Sequence, residues 1–183
     1  MNLHNMASNS LEFDIKELTS DQFLKSIKII HMAFLSGTVL LLIVMTNMIG
    51  FGNINFQNID YTILGFAGIG LISFIFIGKL IIDKKNASIV NTDKLMSKLI
   101  TYRTNKIVQM ALTEAPIMIC IVLAFIFKEY ALLVVAFLAI IYLFSIKPSK
   151  DEIIVKIPLS SSEKNYLNGH MKFGVWESNN EMA

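Results

Sequence analysis

The run QMALTEAPIMICIVLAFIF, residues 109–127, sets a carboxylate, Glu114, and a proline, Pro116, inside an otherwise apolar block. A carboxylate there invites attention because an ionised one in hydrocarbon costs several kcal/mol. It has to be protonated, paired with a cation or faced by a wet cavity. Pro116 has no N–H, so the Leu112 carbonyl loses its usual helical hydrogen bond and a kink is expected. A free carbonyl beside a carboxylate is suited to hold a proton, a cation or a water. Glu114 is the eighth residue of its block, about 10 Å deep at a helical rise of about 1.5 Å per residue. The same counting brings Ser36, Thr38 and Ser73 near its level, as partners in a buried polar cluster. His31 and Lys79 lie shallower and are the expected charge partners.

Little else in the chain competes for chemistry. No nucleophile elbow, Walker loop or CxxC pair is present, and His4, His31 and His170 lack partners at helical metal-ligand spacing. The GFAGIG run, residues 65–70, lacks dinucleotide-motif spacing and a preceding strand. Its Gly65, Gly68 and Gly70 instead give a helix-packing face. No catalytic residue, metal or cofactor is expected, so the protein reads as non-enzymatic. Cys120 is the lone cysteine, which rules out an internal disulfide.

The elements that must position Glu114 are membrane spans. Of the 183 residues 54% are hydrophobic and 16% charged, and the mean hydropathy is +0.59. The apolar residues fall into four blocks, 29–51, 61–82, 107–127 and 130–146, near the length that crosses a bilayer as helix. Only Lys128 and Glu129 part the last two, which predicts a tight antiparallel hairpin. The expected fold is all-α, a four-helix transmembrane bundle over 20–146. A short N-terminal segment, 1–19, and a C-terminal tail, 147–183, flank it. The polar N-terminus and long first block are unlike a cleavable signal peptide.

Lysine and arginine placement sets the orientation. Lys16, Lys25 and Lys28 precede the first block. Seven cations, from Lys79 to Lys106, lie between the second and third, and Lys147 and Lys150 follow the fourth. The two remaining loops hold only Lys128. Both termini and the central loop are therefore expected on the cytoplasmic side of a bacterial inner membrane. A net charge of +2 gives no reason to expect nucleic acid.

The polar segments carry local signals of their own. Thr19-Ser20-Asp21-Gln22 reads as a capping box and starts the first helix near Ser20, before the bilayer. Leu95, Leu99 and Tyr102 share a helical stripe, which fits an interfacial helix or, equally, a solvated basic connector. SSSEKNYL, residues 160–167, looks like a helix start. LEFDIKEL, residues 11–18, alternates with period two, and the strand-like IIVKIPL, residues 153–159, is expected to pair with it. Phe173 and Trp176 lie in an end that looks disordered or partner-dependent.

Residues 64–127 resemble the helical hairpin of the proteolipid c subunit of rotary ATP synthases. Ala111-Leu112-Thr113-Glu114-Ala115 matches that family's carboxylate run, and Gly65 to Gly78 loosely matches its glycine helix. The resemblance implies that Glu114 binds a proton or sodium ion. The central loop is longer than the family's and lacks its Arg-Gln-Pro or Arg-Asn-Pro turn. The whole chain looks more like small four-span bacterial membrane proteins with an Ala-Leu-x-Glu-Gly/Ala-Pro stretch in the third helix, a resemblance that brings no known activity.

The leading expectation is a subunit or accessory factor of a larger membrane complex. Its partners would be the bilayer, other membrane subunits or its own copies, and a cytoplasmic partner held by the tails. The alternative is a small proton- or cation-coupled transporter or homo-oligomeric channel using Glu114.

Overall fold

The computed structural model describes residues 19–50, 61–89 and 94–169. The expected strand at 11–18, the histidines His4 and His170, Phe51, and the residues Phe173 and Trp176 lie outside them. Among the described residues six helices follow in chain order: α1 Ser20–Ile49, α2 Tyr61–Ala87, α3 Leu95–Phe127, α4 Tyr130–Ser145, α5 Lys150–Lys156 and α6 Ser161–Asn168.

Local chemistry fixes where they start and stop. The Thr19 hydroxyl accepts from the Gln22 backbone N–H at 3.3 Å, and the Gln22 side-chain oxygen Oε1 accepts from the Thr19 N–H at 2.9 Å. That is the expected capping box, and it starts α1 at Ser20. α1 ends at Gly50, whose φ of 85° suits a glycine and whose N–H reaches the Thr46 carbonyl at 3.2 Å. The α3–α4 turn is as short as expected. Lys128 takes the left-handed conformation, φ 56°, and the Glu129 N–H closes on the Ala124 carbonyl at 3.1 Å.

α1, α2 and α3 are long and apolar enough to cross a membrane. α4, with 16 residues, reaches about 24 Å, short of the roughly 30 Å of hydrocarbon. It qualifies only when counted with α5. The chain is thus a multi-pass membrane protein with three to four spans.

The described residues gather into two units. One draws on Ile30–Lys84 and Asn105–Lys147 and is called the membrane unit here. Small side chains at its centre, Cys120 and Ala124 on α3 and Ala136 and Ala139 on α4, are buried and allow close helix approach. Leu71 of α2 joins this core, and Leu35, Val39 and Leu42 of α1 pack against it. Large apolar residues such as Leu40, Phe66, Ile69 and Phe137 stay more than half exposed. Water would not favour so much uncovered apolar surface, whereas hydrocarbon accepts it. The Tyr130 hydroxyl donates to the Gly50 carbonyl and ties the start of α4 to the end of α1.

The other unit, the polar unit, draws on Met1–Ile29, Lys85–Thr104 and Pro148–Ala183. Phe23 and Ile27 of α1, Leu99 and Tyr102 of α3, and Tyr166 and Leu167 of α6 are all buried. The Leu95, Leu99 and Tyr102 stripe is helical, as expected. It is the start of α3 itself and is covered by protein, so it is neither an interfacial helix of its own nor a solvated connector.

The strand expected within 153–159 is overturned, because α5 covers its first four residues. Ser149 accepts from the Glu152 N–H, Asp151 and Glu152 fill the first turn, and Lys156 sits in the last. Ile153 and Ile157 are buried four residues apart while Val155 is 83% exposed. That is a helical period, which the run was too short to distinguish from alternation. α6 has the expected start, with a full capping box between Ser160 and Glu163.

Candidate functional site

Glu114 lies on α3, in the membrane unit, half-buried beside α1. Thr38 is fully buried, and its hydroxyl oxygen is 3.0 Å from Glu114 Oε1 and 2.9 Å from the Phe34 carbonyl. A threonine hydroxyl carries one proton, so it donates to only one of these at a time. With an ionised Glu114 it donates to the carboxylate. With a protonated Glu114 the acid donates to Thr38, and Thr38 donates to Phe34. The same three oxygens therefore accept either protonation state without moving.

Only part of the expected cluster assembles. Ser36 is exposed and donates back to the Ala33 carbonyl at 3.0 Å, because it lies about 200° around α1 from Thr38. Ser73 is half-buried on α2 and makes no hydrogen bond to Glu114. Neither expected charge partner reaches the carboxylate. Lys79 is exposed, and His31 sits seven residues before Thr38, about 10 Å along the helix. α3 runs as one helix through Pro116, whose buried ring lines an apolar groove of about 320 Å³ against α2. Nothing lies within 4 Å of where a Cβ would stand at Gly65, Gly68 or Gly70. Gly65 and Gly68 lie on one side of α2, whereas Gly70, about 200° round from Gly68, lines the groove against α3. Gly78 meets Leu112 of α3 at 3.4 Å.

Other buried polar groups run along α3 below Glu114. Asn105, Lys106, Gln109 and Thr113 are each less than 10% exposed, and His31 on α1 is 2% exposed. Thr113 satisfies itself by donating to the Gln109 carbonyl at 2.9 Å. Lys106 is engaged by neighbours, and its charge is felt at the His31 ring. Sequence reasoning read Lys106 as a topology charge and gave no role to Gln109 or Thr113. Their spacing, 106, 109 and 113, marks one helical face and was the available signal.

The polar unit holds a more fully buried carboxylate, Glu163. The Lys98 ammonium donates to both its oxygens, at 3.0 and 3.1 Å, and to the Pro158 carbonyl at 2.9 Å. Glu163 Oε2 also accepts from the Ser160 N–H at 2.6 Å. Nearby, the Tyr102 hydroxyl donates to Glu152 at 2.9 Å, and burial, followed by that carboxylate, raises its pKa. Burial alone pushes Tyr166 up to about 12. Among the described residues no group of three or more His, Cys, Asp or Glu side chains is placed to hold a metal. No protein-family model, curated protein or solved structure matches the chain.

Proposed function

We propose that this protein is a non-enzymatic subunit or accessory factor of a larger complex in the bacterial cytoplasmic membrane, with both termini cytoplasmic. The observation that carries the reading is the open pair Gly65 and Gly68 on one side of α2. Glycines within a helix cost stability unless another helix exploits the close approach they permit. At Gly65 and Gly68 no described helix of this chain does so. A transmembrane helix of another subunit would fill that face. The polar unit, built around Lys98 and Glu163, would offer a folded surface to a cytoplasmic partner. The lysine and arginine distribution supports this sidedness.

Native mass spectrometry of a tagged copy, extracted from its own membrane in mild detergent, tests the reading. Stoichiometric unrelated subunits are expected, and Gly68→Leu should release them while the chain stays folded, since the space at Gly68 is open. A lone monomer or a homo-oligomer would overturn it.

One contact favours a second reading. The Thr38–Glu114 pair, indifferent to protonation state, suits a proton- or cation-coupled transporter or channel. Under that reading Glu114→Gln abolishes flux in liposomes and leaves assembly intact. Under the subunit reading the same change is mild.

A further inference from the structure

The groove between α2 and α3 extends from Ile63 to Phe74 along α2 and from Pro116 to Leu123 along α3. Gly78 meets Leu112 just beyond its Phe74 and Pro116 end. Residue numbers therefore fall along α2 as they rise along α3, and the two helices run antiparallel. The less exposed Ala67, Gly70 and Cys120 form the floor, where their small size leaves the space unfilled. Phe66, Phe74 and Ile119 stand at the rim, each more than half exposed, so the mouth opens outward to the bilayer.

Size selects the occupant. Phe74 is eleven residues on from Ile63, about 16 Å at the helical rise. A volume of about 320 Å³ over that length gives a section of about 20 Å², or about 4.5 Å across. Carbon atoms pack about 4 Å from one another, so this is the width of one hydrocarbon chain. A helix with its side chains is about 10–12 Å wide and cannot enter. A stable protein interface engages about 20–30 residues a side, and only ten line this groove. Water is excluded as well, because no lining side chain offers an oxygen or nitrogen and apolar cavities stay dry.

Depth selects the same occupant. The apolar block of α2 covers residues 61–82. Ile63 lies about 3 Å from its start, and Phe74 stands just past its middle. The groove thus runs from one membrane surface to the bilayer centre, the course of a single chain in a leaflet about 15 Å deep.

We propose that this groove binds one acyl chain of a bilayer phospholipid from the leaflet at the Tyr61 end of α2. The ester end of the chain lies near Ile63 and Leu123, and its methyl end near Phe74 and Pro116. Left empty, the groove would leave its lining atoms without partners on one side, and the chain restores those contacts. A chain against Ile69 or Ile72, off the groove, meets one face of a helix. A chain in the groove meets two helices and a floor, and is retained longer. Gly70 lies about 200° round α2 from Gly68, so the site stands whether or not a subunit docks at Gly65 and Gly68.

Photolabelling of the full-length protein tests this, in vesicles of phosphatidylethanolamine and phosphatidylglycerol. The probe is phosphatidylglycerol with a diazirine either beside the acyl ester or at the chain end, and peptide mass spectrometry locates the adducts. The ester-side probe should mark the Ile63 and Leu123 level and the chain-end probe the Phe74 and Pro116 level. Each should exceed labelling at Ile69 and Ile72, which are equally open to lipid, by about fivefold or more. Gly70→Leu places a side chain in the groove and should cut groove labelling by about fivefold or more. Gly37→Leu, on α1 and equally free of close neighbours, should leave it unchanged. If Gly70→Leu does not fold, the depth order in the unaltered chain still decides. Labelling equal to that at Ile69 and Ile72, probes that mark the same level, or labelling unchanged in folded Gly70→Leu would overturn the proposal. So would a stoichiometric isoprenoid that co-purifies and blocks labelling, or protein–protein adducts in the groove.

Discussion

Two carboxylates of one chain, Glu163 buried and Glu114 half-buried, are held in opposite ways. Glu163, in the polar unit, receives the Lys98 ammonium on both oxygens and a backbone N–H at its helix N-terminus. Its charge is neutralised and its lone pairs are used. Glu114, in the membrane unit, has one hydroxyl partner on one oxygen, Thr38, whose single proton goes either to it or to the Phe34 carbonyl. Glu163 is a fixed charge with a structural job, tying α6 to the start of α3. Glu114 keeps spare hydrogen-bonding capacity and tolerates a change of protonation. Burial alone does not describe the difference; the completeness of the partners separates the two.

The sharpest way to break the contrast is to remove one partner on each side. Lys98→Ala leaves Glu163 buried without its cation, and losing one member of such a pair costs about 3–5 kcal/mol. Hydrogen exchange should show α6 released while the amides of α3 beyond Asn105 stay protected. Replacing both, Lys98→Met with Glu163→Met, should cost clearly less than Lys98→Ala, because no charge is stranded. If the single and double changes cost the same, Glu163 is not held as described.

Thr38→Val is the matching cut in the membrane unit. Interhelical hydrogen bonds in membranes average about 0.6 kcal/mol and reach about 1.7, so a loss of about 1 kcal/mol is expected in a reversible unfolding assay in bicelles. That is several-fold below Lys98→Ala. An equal loss would mean that Thr38 and Glu114 are as structural as Lys98 and Glu163, and the contrast would fail.

The sequence showed one of these carboxylates and hid the other. Glu114 stood out because it interrupts an apolar run, and depth counting found Thr38. The same counting wrongly added Ser36, since height on a helix says nothing of azimuth and 36 and 38 face opposite ways. Glu163 sat in a polar tail, where a carboxylate is unremarkable, and Lys98 is 65 residues from it with no local sign of the pairing. Both caps were legible because they are local, at Thr19–Gln22 and Ser160–Glu163. α5 was misread because four β-branched or charged residues look alike in either period until Ile153 and Ile157 are both known to be buried.

The smallest effect concerns pH and belongs to the polar unit alone. Tyr166 holds its proton up to about 12 when folded, against an ordinary value of 10.0, because burial disfavours the phenolate. The unfolded chain releases that proton near the ordinary value. Tyr166 therefore contributes its full stability below pH 10, and the contribution is lost as pH rises from 10 through about 12. Tyr102 is shifted in the same direction, by burial and then by the Glu152 carboxylate that accepts its hydrogen bond, so the two losses act together. Tyrosinate absorbance and helical circular dichroism, followed against pH in detergent, should show the polar unit loosening above pH 10 before the apolar helices do. Tyr166→Phe has no proton to lose and should flatten the profile between 10 and 12. If it does not, the sensitivity lies in Tyr102 or elsewhere, and Tyr166 is wetter than its place in the core implies.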